Sequence, residues 1–197
     1  MPSRTRDDPR VEGRPLELPD GGLTDGVVTV SPPREEDAEA LAAGARDAAV
    51  ARFANVSWAD ATIEELRERI RGAWRKRAAE GALAHFAIRD AGSLESIGYL
   101  IFFGVNLRDG RAEVGYFVFP EARGRGAATR ATMLVVDWAF HDLGLQRVQA
   151  IAFQDNVASQ RVIEKAGFTR EGVLRSYFPR PEGGRGDAVI FSRLATD

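Results

Sequence analysis

Apolar and polar positions change period several times along the chain, and each change predicts an element. β-Branched residues run together from Val27 to Val30 and stop at Ser31-Pro32-Pro33, a first strand closed by proline. A helix should follow, because Glu35, Glu36 and Asp37 suit the positive end of a helix dipole and Ala38, Leu41 and Ala42 form one apolar stripe up to Gly44. From Asp47 to Glu80 the period stays helical: Ile63, Leu66, Ile70, Ala73 and Trp74 recur at three- and four-residue steps. A break at Asn55-Val56-Ser57-Trp58 predicts two helices joined by a linker.

The runs at 83–88, 97–103 and 112–119 are strand-like, and turn residues at 90–93 and 106–110 separate them. They predict an antiparallel meander of three strands. After Pro120 the helical period returns, with Ala128, Ala131, Leu134, Val135, Trp138 and Ala139 on one face and Gly144 as the stop. A strand over 146–153, a helix from Asn156 to Gly167, and strands over 168–174 and 188–194 around a polar turn complete the pattern. Residues 1–25 mix Pro, Gly and charge without an apolar period and are expected to form a flexible leader, leaving one domain over 26–197.

Composition narrows the function. The 27 Lys plus Arg nearly balance 29 Asp plus Glu, for a net charge of -2, which argues against bulk electrostatic binding of nucleic acid. Cysteine is absent, so disulfides, thiolate-held metals and a cysteine nucleophile are excluded. The two histidines, His85 and His141, are too isolated to predict a metal site. No stretch approaches the ~18 apolar residues of a membrane span, and no apolar stretch follows the charged start, so a cytoplasmic setting away from membranes is expected.

The segment Arg123-Gly124-Arg125-Gly126-Ala127-Ala128-Thr129 sits between a predicted strand and a predicted helix, where unpaired backbone N–H groups face an anion. Two glycines remove blocking side chains, and two arginines add charge, so a phosphate or diphosphate is the natural guest. A solvated basic turn would look the same in isolation. The dinucleotide fingerprint fails for want of its third glycine and of a parallel unit before it, and the phosphate loop fails for want of its lysine.

In order along the chain, these residues resemble the GNAT superfamily of N-acetyltransferases. Arg123 to Ala128 is similar to that family's Gln/Arg-x-x-Gly-x-Gly/Ala signature and follows Gly115-Tyr116-Phe117-Val118-Phe119-Pro120, where the family has its acetyl-CoA strand. Asn156-Val157-Ala158-Ser159, Glu164-Lys165-Ala166-Gly167-Phe168, and Glu171-Gly172-Val173-Leu174-Arg175 resemble elements of the ribosomal-protein acetyltransferase branch, RimJ and RimL. The similarity extends from about Val27 to Leu194. It implies an α/β fold with a strongly twisted, mostly antiparallel mixed sheet, helices on both faces and a splayed centre.

The resemblance also implies acetyl-CoA as acyl donor. The backbone of a bulged strand at Phe117, Val118 and Phe119 would hold the pantetheine, Arg123, Gly124, Arg125, Gly126, Ala127 and Ala128 the diphosphate, and Asn156 a pantetheine amide. Asn156 is equally a helix cap. Glu113, just before the expected bulge, is the candidate general base, against the alternative of an exposed strand carboxylate facing Arg111. Ser159 is the candidate proton donor to the thiolate, or a helix-start hydroxyl. Phe53 and Trp58 are candidates for the acceptor pocket, or for core packing. The expected activity is direct acetyl transfer to a primary amine, with a protein or peptide N-terminus as acceptor. A small antibiotic or metabolite amine, or a non-catalytic acyl-CoA sensor, are the alternatives. No metal is expected, and a homodimer is admitted by the resemblance without an indicated surface.

Overall fold

The computed structural model describes residues 14–54 and 56–197. Eight strands form one sheet: β1 (Leu23–Thr24), β2 (Val28–Ser31), β3 (Leu83–Asp90), β4 (Ser96–Asn106), β5 (Arg111–Val118), β6 (Arg147–Phe153), β7 (Thr169–Pro179) and β8 (Arg185–Leu194). Their spatial order is β1-β2-β3-β4-β5-β6-β8-β7. Every pairing is antiparallel except β5 with β6.

The helices divide between the two faces. On one lie α1 (Ala38–Ala45), α2 (Ala48–Phe53) and a rod made of α3 (Ile63–Arg69), a π-helical stretch Ile70–Trp74 and α4 (Arg75–Ala79). Leu41, Leu66, Ile70 and Trp74 from these helices bury against Tyr99, Phe117 and Phe119 of the sheet side. On the other face, α5 (Ala127–His141) and α6 (Val157–Lys165) bury Ala131, Val135, Trp138 and Ile163 against Phe86, Leu100, Phe102 and Phe191.

Local chemistry starts the helices where the sequence puts them. Asp47 accepts from the amides of Ala49 and Val50 at the head of α2, and Thr62 and Glu65 form a reciprocal capping box at the head of α3. Gly44 allows α1 to approach the sheet, since a Cβ there would overlap the Phe119 ring. A buried ion pair anchors the first turn after β2 to the sheet: Arg89 donates to both Asp37 oxygens, at 2.8 and 2.6 Å, and its Nε donates to Ser31 at 2.9 Å.

Two expectations need correction. The leader was expected to reach residue 25, but Leu16 is buried against the sheet and its amide donates to the Ala78 carbonyl, while β1 pairs with β2. Apolar residues too sparse to show a period still find a groove. Residues 1–13 of the expected leader lie outside the described residues. The bulge expected at Phe117–Phe119 is also displaced: β4 and β5 are in unbroken register from Gly98–Val118 to Phe103–Glu113, and the irregularity falls between Phe103 and Asn106, where Gly104 has φ +60°.

Candidate active site

The parallel contact between β5 and β6 is short. It pairs Arg111 with Arg147, Ala112 with Val148 and Glu113 with Gln149, and goes no further. Beyond Glu113 the two strands diverge, so the centre of the sheet opens. Phe119 donates to the Ile97 carbonyl, at 3.0 Å, just past the Gly98–Val118 pair. By the alternation of an antiparallel ladder, Phe117 then bonds β4, while the N–H and C=O of Tyr116 and Val118 point into the opening. This edge can accept an extended amide chain as a neighbouring strand would.

Side chains on the two faces of β5 split the labour. Val114 and Tyr116 point toward α5 and α6. The Tyr116 phenol lies 3.1 Å from both the carbonyl and the hydroxyl of Ser159 in α6, bridging residues 43 apart in sequence across the opening. Burial pushes the phenol's pKa up, so it stays protonated at neutral pH. On the opposite face, three rows run across β3, β4 and β5: Leu83, Phe103 and Glu113; His85, Ile101 and Gly115; Ala87, Tyr99 and Phe117. Gly115 has no side chain, which lets Ile101 pack down onto β5: a Cβ there would lie 3.2 Å from the Ile101 Cγ2.

Glu113 stands at the apex of the opening, half-buried, and accepts from the Gln149 amide at 3.1 Å. It does not pair with Arg111, which lies 3.6 Å from Asp109. Burial raises its carboxyl pKa above the ordinary value, and the Gln149 bond opposes this only in part. A carboxylate moved toward neutrality is a better proton acceptor than a solvated one.

The turn before α5 is an open cradle. Gly124 and Gly126 adopt φ +75° and +80°, a left-handed backbone that favours glycine, and nothing lies within 4 Å of where their Cβ atoms would be. α5 begins without a side-chain cap. Among the described residues, the amides of 124–129 find no protein acceptor; the first backbone bond of the helix runs from Arg130 back to Gly126. Such a row of free donors at a helix start fits a diphosphate. Arg123 does not project freely: its Nε donates to the Val118 carbonyl at 3.2 Å and its guanidinium pairs with Asp47. It therefore shapes the cleft from the side more than it offers an unpaired charge.

These residues border one cavity of about 1790 Å³, which also takes in Phe53, Trp58, Asn156 and Ser159. Phe53 and Trp58 sit apart within it. Trp58 is 4% exposed and packs edge-on against Tyr99 and Trp74, whereas Phe53 leans on Phe153 of β6. Asn156 caps α6 by accepting from the Ser159 amide at 3.1 Å. Phe119 turns its ring into the core against α1, so any contribution to the cleft comes from its backbone. Sequence reasoning left Tyr116 unassigned and set His85 aside. Alternation along β5 could have shown that Tyr116 and Glu113 face opposite ways, but not that α6 would meet the phenol.

A family model described as an acetyltransferase (GNAT) domain matches residues 28–169. The chain belongs to the GNAT family. YjcK of Bacillus subtilis, named as a probable N-acetyltransferase, is 39% identical over 116 residues, 58% of this chain and 63% of that protein. The spermidine N(1)-acetyltransferase of Escherichia coli is 33% identical over 84 residues, 43% of this chain and 45% of that protein. This GNAT chain thus spans less than two thirds of the length of such relatives. Among solved structures, Mycobacterium smegmatis RimJ in complex with CoA-disulfide superposes with TM-score 0.77 at 26% identity, covering 89% of this chain and 85% of that one. The mixed, mostly antiparallel sheet with helices on both faces and a divided centre is the fold expected from the sequence motifs. Among the described residues no helix is long and apolar enough to cross a membrane.

Proposed function

We propose that this domain transfers the acetyl group of acetyl-CoA to a primary amine, and that its acceptor is the α-amine of a peptide. The observation that carries the reading is the opening between β5 and β6, where the Tyr116 N–H and C=O and the Val118 N–H face the same cavity as the acceptor-free amides before α5, the Val118 carbonyl being taken by Arg123. In this reading the cradle holds the diphosphate, and Tyr116 and Val118 hold the pantetheine through their backbones. The thioester then comes to rest beside Glu113 and Ser159.

The amine nitrogen attacks the thioester carbonyl carbon, a C–N bond forms and the C–S bond breaks. Glu113 takes the proton lost by the amine, directly or through a water, and the Val118 N–H faces the oxygen on which charge develops. The thiolate takes a proton from the Ser159 hydroxyl as that hydroxyl takes one from the Tyr116 phenol, 3.1 Å away, and the phenol regains its proton from solvent as the products leave. Asn156 holds the head of α6 in place by its cap, which uses only the side-chain oxygen and leaves the amide NH2 of this cavity-lining residue to a ligand.

An α-amine suits a single carboxylate base. About a tenth of it is neutral at pH 7, against fewer than ~1 in 1,000 of a lysine amine. A Bacillus subtilis relative, YdaF, carries a provisional ribosomal N-acetyltransferase name and is 31% identical over 114 residues, which agrees with a protein N-terminus as acceptor.

The test is incubation with acetyl-CoA and a panel of N-terminal peptides, lysine-only peptides and small amines, read by mass spectrometry and by release of CoA thiol. Faster acetylation of α-amines than of lysine amines is expected. Binding of acetyl-CoA without transfer to any amine would replace the enzyme with an acyl-CoA sensor.

A further inference from the structure

The far wall of the cavity, opposite the cradle, is the helical rod of α3, the π stretch and α4. Arg69, Ala73 and Arg77, four residues apart, line the cavity from one side of that rod. Between them Trp74 lies flat on His85, ring centroids 3.9 Å apart and planes 9° from parallel, which fixes the rod over the end of β3. The ion pairs of the rod use Arg67, Arg71 and Lys76. Arg69 lies one turn from Glu65, whose carboxyl is held below its ordinary value by the hydrogen bonds from Thr62 and only to a small extent by the Arg69 charge. Arg77 is exposed, has no carboxylate partner among the described residues, and sits close enough to His85 for its charge to disfavour an imidazolium.

His85 offers a second donor at the same place. Its Nδ1 lies 2.5 Å from the Tyr99 hydroxyl. Burial, assisted by Arg77, holds the imidazole neutral by lowering its pKa to about 3, and burial keeps Tyr99 protonated. A buried phenol proton needs an acceptor, and Nδ1 is the one within reach. The imidazole hydrogen therefore sits on Nε2, on a ring that lines the cavity.

The acceptor half of the cavity thus has donors and positive charge at one end and the Glu113 carboxylate at the other. Two strand spacings across the sheet and two residues along it separate His85 from Glu113, a span of about 12 Å. Resting on the acetyl-transfer reading above, we infer that the acceptor carries an anionic group three to four residues' length from its reacting amine, which His85 and Arg77 receive, and that polyamines are poor acceptors. A peptide with an acidic side chain at its third or fourth position has this form, because an extended chain advances about 3.4 Å per residue. A polyamine would instead bring a second ammonium group against Arg77.

The experiment compares kcat/KM for matched peptides with Glu, Gln or Lys at the third or fourth position and amidated C-termini, and for spermidine. Glu peptides are expected to exceed Gln peptides about three- to tenfold at low ionic strength, with the gap narrowing as salt rises. Arg77→Gln should bring the Glu-to-Gln ratio near one, and Arg77→Glu should invert the preference toward Lys peptides. A ratio within twofold in the unaltered protein, a ratio that survives Arg77→Gln, or spermidine turned over faster than every peptide would each overturn the inference while leaving acetyl transfer intact. No transfer to any amine, with acetyl-CoA still raising the melting temperature, would overturn the acetyl-transfer reading and the inference with it.

Discussion

Glu113→Gln isolates the proton-accepting capacity of this side chain from its place in the sheet. The amide keeps the size of the carboxyl and retains an oxygen to accept from Gln149, whose bond to Glu113 is 3.1 Å, so β5 and β6 should remain joined at the apex. General-base catalysis contributes about 10²- to 10⁴-fold. With roughly a tenth of an α-amine already neutral at pH 7, the lower part of that range applies. We expect kcat/KM for a peptide amine to fall about 100-fold at pH 7 with KM for acetyl-CoA unchanged. The deficit should shrink to about tenfold at pH 9.5, where the free amine no longer needs deprotonation.

The pH profile carries a sign. The active form of Glu113 is ionised and its pKa is raised by burial. The rate of the unaltered protein should therefore fall as pH drops through that raised value, and the Gln variant should lack this limb. Stability should move the other way. A carboxyl whose folded pKa exceeds its unfolded value stabilises the fold at low pH, and loses that contribution as pH rises from the unfolded through the folded value. At pH 7 the variant should melt at the same temperature or higher. Stopped CoA-release assays from pH 5.5 to 9.5 and thermal melts read both effects. A variant within twofold of the unaltered protein at every pH refutes the base assignment.

Tyr116→Phe removes the hydroxyl that joins β5 to α6 and leaves the Ser159 carbonyl without that donor; about 1 kcal/mol of stability should be lost in urea unfolding, and kcat should fall more than KM for acetyl-CoA changes. Gly126→Val places a β-branched residue at φ +80°, costing about 1–2 kcal/mol, and fills the mouth of the cradle; calorimetry should show weaker acetyl-CoA binding, whereas Gly126→Ala should show mainly the backbone cost. Asp37→Asn leaves Arg89, 2% exposed, charged and underpaired, so the melt should reveal a loss of about 3–5 kcal/mol; Asp37→Leu with Arg89→Met should recover much of it.

Much of this architecture follows from local pattern. Alternation and helical period marked the strands β2 to β6 and the helices α1, α5 and α6, and Gly144 and Gly167 stop their helices with φ +70° and +86° as such stops require. The cradle was equally visible, because its function depends on backbone freedom at Gly124 and Gly126 and not on distant partners. Glu113 could be named from its place on the strand. Its environment could not, since the bond from Gln149 joins residues 36 apart in sequence.

By itself, then, the sequence determined the elements, their two faces and the glycine turn, all of which arise from interactions within a few residues. The tertiary structure alone decided which faces met. β5 pairs with β6 for only three residues before parting, Tyr116 reaches Ser159, Trp74 covers His85, and Leu16 finds a groove that its surroundings in sequence do not announce. Each is a contact between segments far apart along the chain, fixed by the packing of a twisted sheet between two helical layers, and periodicity carries no information about such a partner.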